Sequence, residues 1–270
     1  MLVVLALLAV TLSPPLEQWK AEIEQIGGLT VVLTRVPADR MTSALPLALD
    51  LPRRALLEPI TSQPGFVAQY RGAQAMTVNV LGENGAGRTS FVLINPKHAG
   101  SGHEEEAIIA HEFGHIWLKA QRYPAPAYQG GEAACLSVHT LDAVQHILIR
   151  EEMEKRGMAW RRPWRRGLEA ALLQMEQEPG AAQGIGRCQT LNQAVMWVDA
   201  ELGAGDWPRK AAFLAALRRR FPIIVPAAEE ISARLQKADV RDKSVHREML
   251  FFVFERLKHL ALAVPVPGIP

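Results

Sequence analysis

The sequence predicts an α+β fold, with a small N-terminal sheet leading into a mainly α-helical C-terminal half. Three observations predict it. Segments of β-branched, partly alternating character lie only before residue 95, helical periodicity dominates from Ser101 almost to the end, and there are no internal repeats or low-complexity tracts. At 270 residues with 49% hydrophobic side chains, the chain can bury a core without a disulfide framework or a metal as a staple, so any metal it binds is expected to be functional.

In chain order, Met1 to Leu12 (MLVVLALLAVTL) is an unbroken apolar run ending at Ser13-Pro14-Pro15. It has the length of a signal-peptide core and falls short of the roughly 20 residues that span a bilayer. Residues 1–15 are therefore expected to be a signal peptide or N-terminal anchor, which makes the protein exported, extracytoplasmic or membrane-anchored. Leu16, Trp19, Ile23 and Ile26 recur at helical spacing until Gly27-Gly28 stops the helix. Leu29–Val36, Ala75–Leu81 and Ser90–Ile94 read as strands, the last two paired as a hairpin across a segment rich in Gly and Asn. Pro37 to Tyr70, rich in Pro, Arg and Leu, receives no assignment. Ser101-Gly102-His103-Glu104 has the form of a capping box and predicts a helix from there to about Gln121. A second helix is predicted over Glu132–Arg156, ended by Gly157, and further helices over 164–177, 189–202, 207–220, 226–238 and 243–262. Phe251, Phe252, Phe254 and Leu257 are expected in the core of the last one.

The 30 basic and 28 acidic side chains nearly cancel, so nothing in the overall field asks for a nucleic-acid partner. Two cysteines, Cys135 and Cys188, neither build a four-thiolate zinc site nor form a CxxC pair; in an exported protein they would join as one disulfide. Trp160-Arg161-Arg162-Pro163-Trp164-Arg165-Arg166 is open to two readings, an anionic-surface contact or a solvated helix start with Trp anchoring the turn.

The chemistry lies in His111-Glu112-Phe113-Gly114-His115. Residues four apart in a helix stand one turn above each other, so both imidazoles can aim at one metal ion while Glu112 reaches a water on the same site. A catalytic zinc takes three protein ligands. Leu118 and Gln121 occupy the positions of the glycine and third histidine of the longer HExxHxxGxxH motif, which excludes that arrangement. The third ligand is then sought on the following helix, where His139, Asp142 and His146 form a polar stripe at i, i+3 and i+7. Asp142 is the first choice, His146 the alternative ligand or a group behind it, and His139 a weaker third. Glu132 suits the first turn of the helix by its charge.

On the HExxH motif, residues of about 75 to 156 resemble the core of a zincin metallopeptidase of the small gluzincin type. The resemblance covers roughly a third of the chain. It implies zincin-like active-site helices, with a strand along the cleft, the HExxH helix, then a helix giving the last ligand. Phe91–Asn95 (FVLIN) would be that strand, its exposed edge pairing with an extended peptide substrate. The second helix departs from the family, having Asp142 with His146 four residues on in place of a glutamate followed by an aspartate. The expected organisation is a metallopeptidase core over 16–157 and a helical C-terminal region over 158–270. The expected function is zinc-dependent peptide hydrolysis with Zn²⁺ on His111, His115 and Asp142 or His146, Glu112 as general base, and Tyr123, Tyr128 or His139 opposite the oxyanion. The partner is a peptide or protein substrate, with no nucleic acid, and the N-terminal apolar segment would provide any membrane association. The alternative is a catalytically silent metallopeptidase-like protein that serves as a metal-binding interaction or sensor module.

Overall fold

A computed structural model describes residues 10–41, 44–45, 49–81, 88–100, 102–126, 132–178, 180, 182 and 185–264. The apolar run of residues 1–9, the turn at 82–87, the Ser101 cap and Tyr128 lie outside them. Among the described residues no helix is long and apolar enough to cross a membrane. The chain divides into two compact units, Met1–Arg122 with Met153–Ala159, and Tyr123–Glu152 with Trp160–Pro270.

The first unit opens with helix α1 (Pro14–Gly27), which buries Leu16, Trp19 and Ile23 as the spacing predicts. It stops at Gly28, whose φ of 56° is the left-handed conformation open to glycine at little steric cost. Strands β1 (Leu29–Arg35), β2 (Ala75–Leu81) and β3 (Arg88–Ile94) form one sheet in the order β1-β3-β2. The predicted hairpin is present: β2 and β3 pair antiparallel, Thr77 opposite Val92. The parallel β1–β3 pairing, Val32 opposite Phe91, was not foreseen. The expectation that Phe91–Asn95 presents an open edge is overturned, because β3 is bonded on both sides and every residue from Ser90 to Asn95 is buried. A strand buried on both faces reads as the continuous apolar run that FVLI is.

The unassigned stretch holds helices α2 (Leu51–Thr61) and α3 (Pro64–Gly72). Leu57, Phe66 and Tyr70 from them join Val36, Val78, Phe91 and Leu93 in one core cluster. Since side chains alternate along a strand, Phe91 and Leu93 face this cluster while Val92 and Ile94 face the other side. Helix α4 (His103–Ala120) packs on that other side, against β2 and β3, and on α1 through an edge-to-face contact of Trp19 with Phe113. Arg35 at the end of β1 pairs with Glu105 at 2.7 Å.

The second unit is helical: most of α5 (Glu132–Lys155), then α6 (Arg161–Gln177), α7 (Arg187–Gly203), α8 (Lys210–Arg220), α9 (Val225–Leu235) and α10 (Lys243–Ala263). Helix α7 is its centre, buried along Leu191, Ala194, Val195, Trp197 and Val198 and packed against α8, α9 and α10. The Cys135–Cys188 disulfide joins α5 to α7, and His146 on α5 meets Asp199 on α7; both contacts link residues 53 apart in sequence. From Cys135 to His146 and from Cys188 to Asp199 are eleven residues each, about three helical turns, so α5 and α7 run side by side in the same direction. These ties group Tyr123–Glu152 with the helical remainder by compactness, whereas the motif reading groups that segment with the HExxH helix. Leu257 of α10 is buried as expected, but Phe252 and Phe254 are only half-buried and Phe251 is 68% exposed: successive helical residues point 100° apart, and the face that buries Val253 and Leu257 turns Phe251 outward.

Candidate metal centre

Helix α4 sorts its residues by face. Ile109, Phe113 and Ile116 are buried at i, i+4 and i+7, while His111, Glu112 and His115 are half-buried on the other stripe. One turn apart, His111 and His115 bring their Nε2 atoms to 2.9 Å. Two nitrogens bound to one tetrahedral zinc at 2.0–2.1 Å stand about 3.3 Å apart, so a few tenths of an ångström of opening admits the ion. Glu112 Oε2 accepts a 2.6 Å hydrogen bond from Thr77 Oγ1 on β2. Strand β2 lies at the edge of the sheet, and Thr77 sits on the face opposite Val78, which belongs to the Tyr70 cluster. The sheet thus anchors the glutamate of the motif, and sequence gave no sign of it.

The three polar groups of α5 differ in their surroundings. Asp142 is half-buried, its Oδ2 3.9 Å from His139 Nδ1 and its Oδ1 3.7 Å from His146 Nε2. His139 sits with Nε2 3.7 Å from Cys188 Sγ, and burial holds it below the ordinary histidine range. Cys135, His139 and Cys188 bring donors within 4.8 Å of one another, but the disulfide removes both thiolates as ligands.

His146 is buried and its Nδ1 stands 2.9 Å from Asp199 Oδ2. Asp199 Oδ1 accepts a 2.8 Å hydrogen bond from Arg150, one turn beyond His146 on α5. Trp164 of α6 covers the group, edge-on to His146 with ring centroids 5.0 Å apart and 5.0 Å beneath the Arg150 guanidinium. Arg150 passes so close to Gly203 that a Cβ there would lie 2.7 Å from its guanidinium and would have to push it aside. Burial alone would lower His146; the Asp199 carboxylate, by charge and hydrogen bond, outweighs it and the net direction is up. Burial raises Asp199, and the His146 and Arg150 cations more than offset that, holding it below the usual carboxylate range. The sequence signal for this group was an acid closing an apolar run, Val195-Met196-Trp197-Val198-Asp199, together with Arg150 at i+4 from His146.

Tyr123 and the polar groups flanking the start of α4 have partners of their own. Tyr123 donates its hydroxyl to the Arg241 carbonyl at 3.0 Å, and burial raises its pKa. Glu132 opens α5, with its side chain outside the described residues. His98 Nε2 lies 3.1 Å from the Arg71 carbonyl, and His103 pairs with Glu106 on the exposed start of α4. In the basic–aromatic cluster, Trp160 and Trp164 serve as anchors, Arg161 lies over Trp160, and Arg165 binds Asp206 and the Ala204 carbonyl. Comparison with protein-family models, with curated proteins and with solved structures finds no match.

Proposed function

We propose that the chain is a zinc-dependent peptidase, its metal held by His111, His115 and a third ligand from α5, Asp142 or His146. The observation that carries this is the pairing of two Nε2 donors 2.9 Å apart with a glutamate between them that is oriented by Thr77. The donor types suit zinc: two imidazoles with a carboxylate or third imidazole. A bound zinc ion would supply Lewis acidity and draw the pKa of a water toward neutrality.

The chain's own residues supply the rest. Glu112 takes the proton of the attacking water and delivers it to the leaving amine nitrogen. The Thr77 hydroxyl fixes one oxygen of Glu112. Strand β2, at the sheet edge and bearing Thr77, is the natural strand for an extended peptide to pair with, in the role first expected of Phe91–Asn95. The apolar N-terminus and the Cys135–Cys188 bond together favour an oxidising, extracytoplasmic compartment.

Glu112 separates this reading from a silent metal-binding module, since a binding site needs the histidines but not the base. In an assay on a fluorogenic mixed-peptide library, Glu112→Gln is expected to keep near-stoichiometric zinc by elemental mass spectrometry and lose hydrolysis about 10²–10⁴-fold. Thr77→Val, which removes a charge-assisted hydrogen bond of about 1.5–3 kcal/mol, is expected to lower kcat about ten- to hundredfold with zinc retained. Full activity in Glu112→Gln refutes the mechanism, and a parent protein that takes up no zinc refutes the metal centre.

A further inference from the structure

We infer that Cys135, His139 and Cys188 form a zinc site when their disulfide is reduced, so that α5 and α7 are joined by a metal in one redox state and by the bridge in the other. All three residues lie within the helical unit. The inference goes beyond the peptidase reading and takes none of the ligands proposed there.

Cys135 and His139 stand one turn apart on α5, and Cys188 is the second residue of α7. A donor atom from each lies within 4.8 Å of the other two. On one tetrahedral zinc a sulfur and a ring nitrogen stand about 3.6 Å apart and two sulfurs about 3.8 Å. His139 Nε2 is already 3.7 Å from Cys188 Sγ. Once the bridge is broken, parting of the two sulfurs completes the set. Two thiolates with an imidazole are donors that select zinc, and three protein ligands leave the fourth position to water.

The surroundings of each donor favour this role. Cys188 is exposed, so a reductant reaches it, and exposed bridges are the more reducible ones. It lies in the first turn of α7, where the helix dipole stabilises a thiolate. His139 Nδ1 is buried without a hydrogen-bond partner. The Asp142 carboxylate, 3.9 Å from that nitrogen, favours the proton there and leaves the Nε2 lone pair toward Cys188. Packing alone gives no reason for a largely buried imidazole with one nitrogen unpartnered and the other against a bridge, whereas a ligand role does. In the step itself, a dithiol reductant passes two electrons and two protons to the bridge, which becomes two thiols while the reductant becomes a disulfide. Zinc then displaces both thiol protons to water.

The test uses the full-length protein and cobalt(II), which substitutes for zinc and absorbs by charge transfer when bound to thiolate. The chain is reduced by a phosphine, which gives up the same two electrons and leaves as its oxide with an oxygen from water, and is then freed of reductant. The expected result is a cobalt–thiolate band in the reduced parent, with its native far-ultraviolet spectrum retained, that zinc displaces and the oxidised parent lacks. Cobalt on His111 and His115 has no sulfur beside it and gives no such band in either state, so the two sites succeed or fail separately. Losing a ligand weakens binding at least as much as losing the partner that orients it, so His139→Ala is expected to hold cobalt at least about tenfold more weakly. A reduced parent without the band, or His139→Ala binding with the affinity of the parent, overturns the inference. Should His139→Ala fail to fold, the ¹⁵N-histidine spectrum of the parent decides: zinc is expected to shift one further imidazole Nε2 after reduction and not before, and no such shift overturns the inference.

Discussion

Replacing both cysteines, Cys135→Ala with Cys188→Ala, tests how the helical unit is held together. The bond closes a loop with a sequence separation of 53. In the chain-entropy description, opening such a loop in the unfolded ensemble gains about 14 cal/mol/K, which at 25 °C is about 4 kcal/mol of stability lost to the folded form. For a body of this size that corresponds to a fall in the thermal midpoint of about 8–16 °C. The assay is urea unfolding of the oxidised parent and the double variant, followed through tryptophan fluorescence, since Trp160, Trp164, Trp197 and Trp207, four of the six tryptophans, lie in this unit. Because the effect acts on the unfolded chain, the denaturant slope is expected to rise in the variant as the unfolded state expands, while the native far-ultraviolet spectrum is unchanged. Reducing the parent with a dithiol should reproduce the shift. A loss under about 1 kcal/mol with an unchanged slope would refute the reasoning, since it would mean that the α5–α7 loop is restrained in the unfolded state by something other than the disulfide.

Two further outcomes follow from groups outside the proposed metal centre. Tyr70 is buried and donates its hydroxyl to the Val36 carbonyl at 2.7 Å, so Tyr70→Phe strands a buried acceptor and is expected to cost the first unit about 1–3 kcal/mol in denaturant unfolding; no loss would mean that water reaches Val36. Burial holds His246 below its ordinary pKa, so the unfolded chain takes up the proton first and stability falls as pH drops below about 6.5; the thermal midpoint should decline between pH 7 and pH 5, and less steeply in His246→Gln, whereas an equal slope in the variant would place that titration elsewhere.

The fold was legible wherever one face of an element is buried and the other is wet. Pro14–Gly27, His103–Ala120 and Lys243–Ala263 all show this contrast, and their bounds fall within two or three residues of those expected from periodicity. Leu51–Thr61 and Pro64–Gly72 escaped because each is short and has a proline in its first two positions; the first also sets Arg53 and Arg54 among its leucines, and Pro59 inside it reads as a breaker. The central place of β3 escaped for another reason: a continuous apolar run fits a strand covered on both faces, but periodicity does not say which neighbours cover its edges. Of the candidate centre, the two histidines and the glutamate were visible because their spacing is local to one helix. Thr77 and Asp199 were not, since each reaches its partner across 35 and 53 residues of sequence through tertiary packing that no local pattern records.

That division has a chemical consequence. A local motif can specify donors, but not the orientation of their rings or the protonation of their nitrogens; those depend on partners brought in by the rest of the fold. Here the partner of Glu112 comes from the edge strand of the sheet and the partner of His146 from the central helix of the helical unit. The α5–α7 register repeats its contacts after three turns: His139 approaches Cys188 and Arg150 binds Asp199, each pair 49 residues apart, as the disulfide and the His146–Asp199 pair are each 53 apart. One shift of α7 along α5 would break all four together. The covalent bond therefore does more than add stability, because it fixes the sliding coordinate that sets where Asp199 meets His146. A stripe of polar residues on α5 has value only if that coordinate is held, which gives the disulfide and the buried ion cluster a common reason to occur on the same pair of helices.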